Sequence, residues 1–416
     1  MKKIIGLLIF ALLFILCSCT DNSENTELRN SRQTMTTDTA TASISNETIS
    51  IYDIHHAKIG EIERYGILVL TDDSIIYNKI PTKSTDSITA MDYYRYIFKT
   101  KENIKLGTVN NWAYEAKYDT TVIGNSLYML VTTGEISDIQ NRTLHLYKVD
   151  LLHNTMSVVF SEQGGFPYNT MTAVGNQLYI VRVLATGGSE LDVYNTATNE
   201  RKLLKKFAFD DKAHSGEAIR QITSDDHTIS LLRLKIESGG KSSLYLDVYD
   251  HEMNFLRSVD VSTIPAKSTD SPDNELRQGV SSFVAANDYI YYANFSITRF
   301  LGKIEKDSLR SIMNVSPEFE MASESIKNNT SGFFYQSFSP NNDLYLLNYM
   351  DGTLQKATFT VDDKRYYIIN IARDTQDHLL ITMRYKNPDT GQELEPRLYY
   401  VPMSELEFSP FAPKSG

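Results

Sequence analysis

The sequence predicts an all-β protein, a β-propeller built from four-stranded antiparallel sheets, and three observations predict it. Short hairpins recur down the chain at the spacing of one sheet. A second hairpin follows most of them. No stretch beyond the first apolar run sustains the 3.6-residue period of an amphipathic helix, which argues against a parallel α/β arrangement.

The hairpins are clearest in "TVIGNSLYMLV" (121–131) and "TAVGNQLYIVR" (172–182). Each reads as an apolar strand, a Gly-Asn turn pair that accepts positive φ, and a strand opening with Leu-Tyr. Aspartate or asparagine takes the turn in "VLTDDSIIYN", "ITSDDHTISLL", "AANDYIYYA", "SPNNDLYLLNY" and "RDTQDHLLITM". Aligning them superposes Ile75, Leu127, Leu178, Ile229, Ile290, Leu344 and Leu379, with gaps of 52, 51, 51, 61, 54 and 35 residues.

The second element reads "LHLYKVDLLHNTMSVVF" (144–160), "LDVYNTATNERKLLKKF" (191–207) and "LYLDVYDHEMNFLRSVDV" (244–261), again strand, polar turn, strand. Two hairpins give four antiparallel strands in about 40–50 residues, the size of a propeller blade. Such a sheet is apolar on both faces and hides them only against neighbouring sheets packed around a common axis. Seven hairpins predict seven blades. The last gap is too short for a whole blade, so either the sixth blade lacks a strand or the ring has six blades. The segment "ISIYDIHHAKIGEIE" (49–63) is expected to close the ring by pairing with "PRLYYVPM" (396–403).

Composition agrees. The chain has 416 residues, with 26 tyrosines against one tryptophan, Trp112, an aromatic usage suited to strands. Its 11 prolines and 20 glycines exclude a collagen-like or low-complexity body. A formal charge of −11 disfavours nucleic acid as a partner.

The chain start has its own grammar. Lys2 and Lys3 precede an apolar run from Ile4 to Leu16, which is shorter than the about 20 residues that span a bilayer and reads as a secretory signal. It ends in Leu16-Cys17-Ser18-Cys19, which holds both cysteines of the chain. This tetrad resembles the lipobox of bacterial lipoproteins: an aliphatic residue, a tolerant position, a small residue and the cysteine. The resemblance implies a signal peptide over 1–18, cleavage after Ser18, a diacylglycerol on the Cys19 sulfur and further acylation, such as palmitate, on the new amine. Cys17 fits less well, because Leu16 would precede it. Removing Lys2 and Lys3 takes the charge from −11 to −13 and leaves the folded part without a free thiol, so disulfides and thiolate metal sites are not expected.

Residues 19–50 then form a lipidated cysteine and a tether rich in Ser, Thr and Asn, and 51–410 the propeller domain. The tether's r.m.s. reach is about 30 Å. The whole arrangement is loosely similar to uncharacterised propeller-bearing lipoproteins of bacteria. That resemblance implies an architecture and a place in the cell envelope, on the outer side of a plasma or outer membrane, and no activity.

The chemistry-bearing residues are sparse. The histidines are His55, His56, His145, His153, His214, His227, His251 and His378, with no His-Glu-x-x-His, and the adjacent His55 and His56 would point to opposite faces of a strand. There is no Gly-x-Ser-x-Gly elbow and no sialidase-type Ser-x-Asp-x-Gly-x-Thr-Trp turn. "ESGGKSS" (237–243) lacks the Gly-Lys-Ser/Thr of a phosphate loop, and "NPDTGQELEP" (387–396) lacks the oxygen spacing of a calcium loop, with Pro388 to Gly391 reading as a type I turn. The tyrosines of "YIYYANF" (289–295) read as packing between blades. The acidic pairs Asp72-Asp73, Asp210-Asp211, Asp225-Asp226 and Asp362-Asp363 read mostly as turn formers. "TGEISDIQNRT" (133–143) and "KSTDSPDNELRQ" (267–278) read as long loops at blade edges.

No catalytic, cofactor or metal residues emerge; the one assigned position is the lipidation site, Cys19. The expectation is a monomeric, lipid-anchored envelope propeller that binds a protein or glycan without chemistry and needs no cofactor. A carbohydrate-active envelope hydrolase or lyase, and a scaffold subunit of an envelope assembly, are the alternatives.

Overall fold

The computed structural model of the protein describes residues 49–50, 64–80, 89–112, 119–134, 138, 141–164, 170–185, 187–210, 212–262, 282–286, 289–294, 300–305, 308–314, 332–336, 344–348, 353–358, 366–374, 378–385, 390 and 397–411. They contain no α-helix. Their strands form six hydrogen-bonded sheets, one of which joins two blades through Trp112 and Thr133, so the blades number seven; strand β1 (Ile49–Ser50) comes first in the chain.

Blade 1 is β2 (Arg64–Leu70), β3 (Ser74–Ile80), β4 (Thr89–Ile97) and β5 (Glu102–Trp112). Blade 2 is β6 (Asp119–Ile123), β7 (Ser126–Thr133), β8 (Thr143–Asp150) and β9 (Thr155–Gln163). Blade 3 is β10 (Thr170–Val174), β11 (Gln177–Val183), β12 (Ser189–Asn195) and β13 (Glu200–Phe207). Blade 4 adds a short β14 (Phe209–Asp210) before β15 (Ser215–Ser224), β16 (Thr228–Ile236), β17 (Ser242–Asp250) and β18 (Phe255–Asp260). Blade 5 is β19 (Ser282–Ala286), β20 (Tyr289–Asn294), β21 (Phe300–Glu305) and β22 (Ser308–Asn314). Blade 6 begins with β23 (Gly332–Gln336), β24 (Leu344–Asn348) and β25 (Leu354–Thr358). Blade 7 begins with β26 (Tyr366–Asp374), β27 (His378–Tyr385) and β28 (Arg397–Pro402), and β29 (Glu407–Pro410) ends the series.

Every pairing among the described residues is antiparallel, and blades 1 to 5 are each a meander of consecutive strands. First strands of neighbouring blades lie side by side: β6 against β10, β10 against β15, β15 against β19, and β23 against β26. β26 also lies against β2, so the last blade meets the first and the ring is closed.

Both chain ends complete blades. Ile49 and Ser50 pair with Tyr400 and Tyr399, making β1 the outermost strand of blade 7, as the sequence predicts. The short sixth interval has a different solution from either expectation. Blade 6 has lost no strand and the ring has seven blades, because β29 returns from the chain end and pairs Glu407 with Thr358 and Pro410 with Gln355. A 3-10 turn at Met403–Glu405 carries the chain from blade 7 back to blade 6.

The aligned hairpin position marks the core. Ile75, Leu127, Leu178, Ile229, Leu344 and Leu379 are all buried near the start of a second strand. Alternation explains why these strands are apolar throughout. Leu127, Met129 and Val131 pack with Leu68, Ile76 and Met91 of blade 1, while Tyr128 and Leu130 pack with Met171, Leu178 and Ile180 of blade 3. Each face of β7 is therefore an interior, as in sheets buried on both sides.

The Leu-Tyr signature has a role here. Tyr128 packs edge-on against Tyr194 of blade 3, ring centroids 6.5 Å apart, and Tyr179 donates 2.9 Å to the His251 carbonyl of blade 4. At the Gly-Asn turns Gly124 and Gly175 sit at φ +55°, as expected.

Candidate functional site

A four-stranded meander sends its connections alternately to the two ends of the blade. First-to-second and third-to-fourth connections share one face of the ring; second-to-third connections and those between blades share the other. The described turns of the first face are tight; the seven-residue connection 337–343 of blade 6, on the same face, lies outside the described residues. Gly124-Asn125 and Gly175-Asn176 each close a hairpin alone, and Asp225 closes another by accepting from the His227 and Thr228 amides at 2.8 and 2.7 Å. Asp73 closes that of blade 1, taking bonds from the Thr71 and Ser74 hydroxyls at 2.8 Å each. Third-to-fourth turns follow one recipe: Asp150, Asn195 and Asp250 accept turn amides, and Asn154, Asn199 and Met253 take left-handed φ of 54°, 59° and 65°. Burial pushes the Asp73 carboxyl up, but hydrogen bonds from Ser74 and Thr71 and the charge of Arg95 hold it below the usual aspartate range.

The second face carries the longer connections. The chain uses 81–88, 134–142 and 386–396 between second and third strands, and 261–281 and 315–331 between blades. The loops read from sequence at 133–143 and 267–278 both leave strand ends on this face. In the first, the Asn141 side chain donates to Asp138 at 2.6 Å; residues 267–278 lie outside the described residues. "ESGGKSS" turns here without a helix after it: the Gly240 amide bonds the Glu237 carbonyl at 3.0 Å and β17 follows.

Three described features shape this face. The first is a lip. β14 pairs with β15 through Phe209↔Gly216 and Asp210↔Ser215, on the inner edge of blade 4, so the 209–216 hairpin stands at the channel side of the ring. Its backbone is fitted closely: a Cβ on Gly216 would lie 2.4 Å from the Ala208 carbonyl, and one on Gly188 would lie 2.4 Å from that of Phe207. Asp210 takes the Lys212 and Ala213 amides at 2.8 and 3.1 Å, leaving Lys212 and His214 exposed at the tip.

The second is a clasp between first strands. Asp119 opens β6, buried, and accepts from the Thr170 hydroxyl and the Met171 amide of blade 3, both at 2.8 Å. One blade on, the Ser189 hydroxyl at the start of the third strand accepts the Ile219 amide at 2.8 Å, while the contact between first strands, Thr172 with Ser224 at 2.7 Å, lies toward the opposite face.

The third is a cluster of paired charges that runs inward from this face across the second, third and fourth strands of blade 3. Arg182 holds Asp192 at 2.7 Å, Glu190 at 2.6 Å and Glu162 of blade 2 at 2.5 Å. Arg201 shares Asp192 and Glu162 and lies 4.2 Å over the Phe160 ring; Lys206 adds a 3.0 Å contact to Glu190. Three cations thus face three carboxylates. Burial works against the Arg201 charge, and the bonds from Asp192 and Glu162 overcome it. Blade 4 repeats the pair as Arg233 with Asp247, supported by Glu217 at 2.8 Å and Ser258 at 2.6 Å.

Blade 2 also holds a row of polar side chains across three strands. His145 Nδ1 lies 2.7 Å from the Ser161 hydroxyl and Nε2 lies 2.9 Å from that of Thr133. Burial pushes the imidazole pKa down, which keeps it neutral at pH 7. Both nitrogens end on hydroxyls, so no carboxylate orients the ring as a hydrolase triad requires.

Among the described residues, no group of three or more His, Cys, Asp or Glu is placed to hold a metal ion. Asp72-Asp73, Asp225-Asp226 and Asp210 stand in turns, as read from sequence, and Trp112 lies in β5, whose backbone pairs with Thr133 and joins blades 1 and 2 at their edge. Cys19, His55, His56 and Asp362-Asp363 lie outside the described residues, as do the side chains of 289–295. The Arg–Asp pairs and the lip were not anticipated. The sequence does repeat Leu-Asp-Val-Tyr at 191–194 and 246–249, with an arginine upstream in the preceding strand each time.

No protein-family model matches the chain, and neither does any curated protein. Among solved structures it is similar to the β-propeller domain of the Trilobed protease from Pyrococcus furiosus, at 12% identity and TM-score 0.43, covering 71% of this chain and 84% of that one. It is similar to the Pyrococcus horikoshii acylaminoacyl peptidase at 9% identity and TM-score 0.45, covering 71% of this chain and 45% of the peptidase, so it spans less than half of that enzyme's length. An uncharacterised protein from Listeria monocytogenes is similar at 10% identity and TM-score 0.42, covering 81% of this chain and 94% of that one.

Proposed function

We propose that this protein is a lipid-anchored propeller of the cell envelope that binds a protein or a glycan through the face carrying its long connections, without catalysing a reaction. The observation that carries this reading is the asymmetry of the described residues: the described turns of one face are closed by their own side chains, and the longest connections and the 209–216 lip leave strand ends on the other. Loops held by a rigid scaffold are where binding residues concentrate. Among the described residues, the shielded ionisable groups near this face are matched, Arg182 and Arg233 to carboxylates and Asp119 to amide and hydroxyl donors, which suits a scaffold more than a reaction centre. Cys19 supplies the anchor in this reading, and residues 20–48 the spacer.

The test has two arms. Mass spectrometry of the amino-terminal peptide from native membranes should find Cys19 carrying a diacylglyceryl group; an unmodified terminus removes the anchor. Purified 20–416 should bind immobilised envelope polysaccharide or a purified envelope protein and leave it intact. Turnover of a glycan or peptide, abolished by one carboxylate substitution, would overturn the binding-only reading.

A further inference from the structure

Two features that the proposed function leaves unused point the same way. One is the direction of the first strand. β28 runs from Arg397, opposite Met383, to Pro402, opposite His378, and His378 opens the second strand of blade 7. Pro402 is therefore at the tight-turn face. β1 is antiparallel to β28, with Ile49 nearer Pro402 than Ser50 is. The amino end of β1 consequently lies at the tight-turn face. The carboxyl end leaves on the opposite side, because β29 starts at Glu407 beside Thr358 and ends at Pro410 beside Gln355.

The other is a set of apolar side chains at that same face. Leu152, in the third-to-fourth turn of blade 2, is 67% exposed. Phe255 and Leu256, the first residues after the equivalent turn of blade 4, are 58% and 54% exposed. Both turns are closed by their own aspartates, Asp150 and Asp250, so the apolar side chains are presented on fixed backbone. Charge on this face is mixed: Lys99 and Lys101 stand in the blade 1 turn, with exposed Asp72, Asp226 and Glu252 on others.

We infer that the tight-turn face is the membrane-facing surface of the anchored protein, with Leu152, Phe255 and Leu256 entering the interfacial layer of a lipid bilayer and the long-connection face turned outward. The inference rests on the anchor at Cys19. The occupant is a bilayer rather than another protein because the amino end of β1, to which the chain from Cys19 leads, lies at this face. With an r.m.s. reach of about 30 Å, it brings this face within range of the headgroups, while inversion would cost it the thickness of the ring. Apolar side chains favour the interface independently of lipid charge, and the mixed charges predict weak dependence on salt.

The acylated full chain is reconstituted in phosphatidylcholine vesicles containing a lipid with a quencher on its acyl chain. The substitutions Leu152→Cys, Phe255→Cys and Lys241→Cys each carry a fluorophore; Lys241 lies on the long-connection face. The expected result is quenching at 152 and 255 at least about twofold stronger than at 241, unchanged in high salt. Equal quenching at all three, or stronger quenching at 241, overturns the inference. Flotation with the vesicles separates the two failures. A chain that floats and is quenched evenly keeps its anchor and loses this orientation, whereas a chain that does not float lacks the anchor and the inference falls with it.

Discussion

Arg182 donates through Nε to Asp192 at 2.7 Å, with both side chains largely shielded from water, and the contact joins the second strand of blade 3 to the third. Arg233 and Asp247 occupy the same places on blade 4. A buried pair of this kind contributes little net stability over an apolar pair, yet breaking it is costly, because the remaining charge has lost its counter-ion.

Asp192→Ala removes the most deeply buried carboxylate that Arg182 and Arg201 share but leaves them Glu162 and Glu190, so it is expected to cost about 3 kcal/mol, the low end for breaking a buried pair. The double variant Arg182→Met, Asp192→Leu should recover a good part of that loss. Urea unfolding of the three proteins checks both statements; a double variant no more stable than the single would contradict the account.

The β14–β15 hairpin depends on a missing side chain. Gly216→Ala places a Cβ within 2.5 Å of Phe209 Cα at a φ of +150°, so the lip must move while the blade behind it remains. Ligand binding should weaken with little change in the thermal midpoint. A variant that binds normally would show that the lip takes no part in recognition.

His145 titrates below an ordinary histidine because it is desolvated. The unfolded chain therefore takes up a proton at a higher pH than the folded one. Stability falls as pH drops below about 6.5, the unfolded value, and the fall ends at the lower folded pKa. His145→Gln should flatten that segment of the curve, and an NMR titration of His145 should give a midpoint under 6.5. A midpoint above it would reverse the sign.

β29 is the only cover for the outer edge of β25 among the described residues. A chain ending at Glu405 should leave β25 as an exposed edge, raising hydrogen exchange at Gln355 to Thr358 and promoting aggregation. Unchanged protection of β25 would mean that blade 6 is complete without the chain end.

The hairpins were legible in the sequence because their signal is local: a turn residue with the right φ, then alternation buried on both sides. Ile75, Leu127, Leu178, Ile229, Leu344 and Leu379 are all buried where the alignment puts them. Closure through Ile49 was legible because "SIY" and "LYYV" read as strands near the two chain ends. The completion of blade 6 by Glu407–Pro410 was not, since a four-residue strand ending in proline has almost no periodic signal and its partner is some fifty residues away. Nor was the charge cluster: Glu162, Asp192 and Arg201 meet because two sheets lie side by side, which no spacing along one strand encodes. The site itself is only partly written in sequence order, as a face of a ring gathers residues from every blade.

Photo-crosslinking on intact cells tests the central claim, a binding face opposite the tethered one. A photoreactive residue is placed at Lys212 or Lys241 on the long-connection face and at Asn125 or Asn176 on the tight-turn face. The account predicts discrete ligand adducts from the first pair and none from the second. Adducts arising only from Asn125 or Asn176 would contradict it.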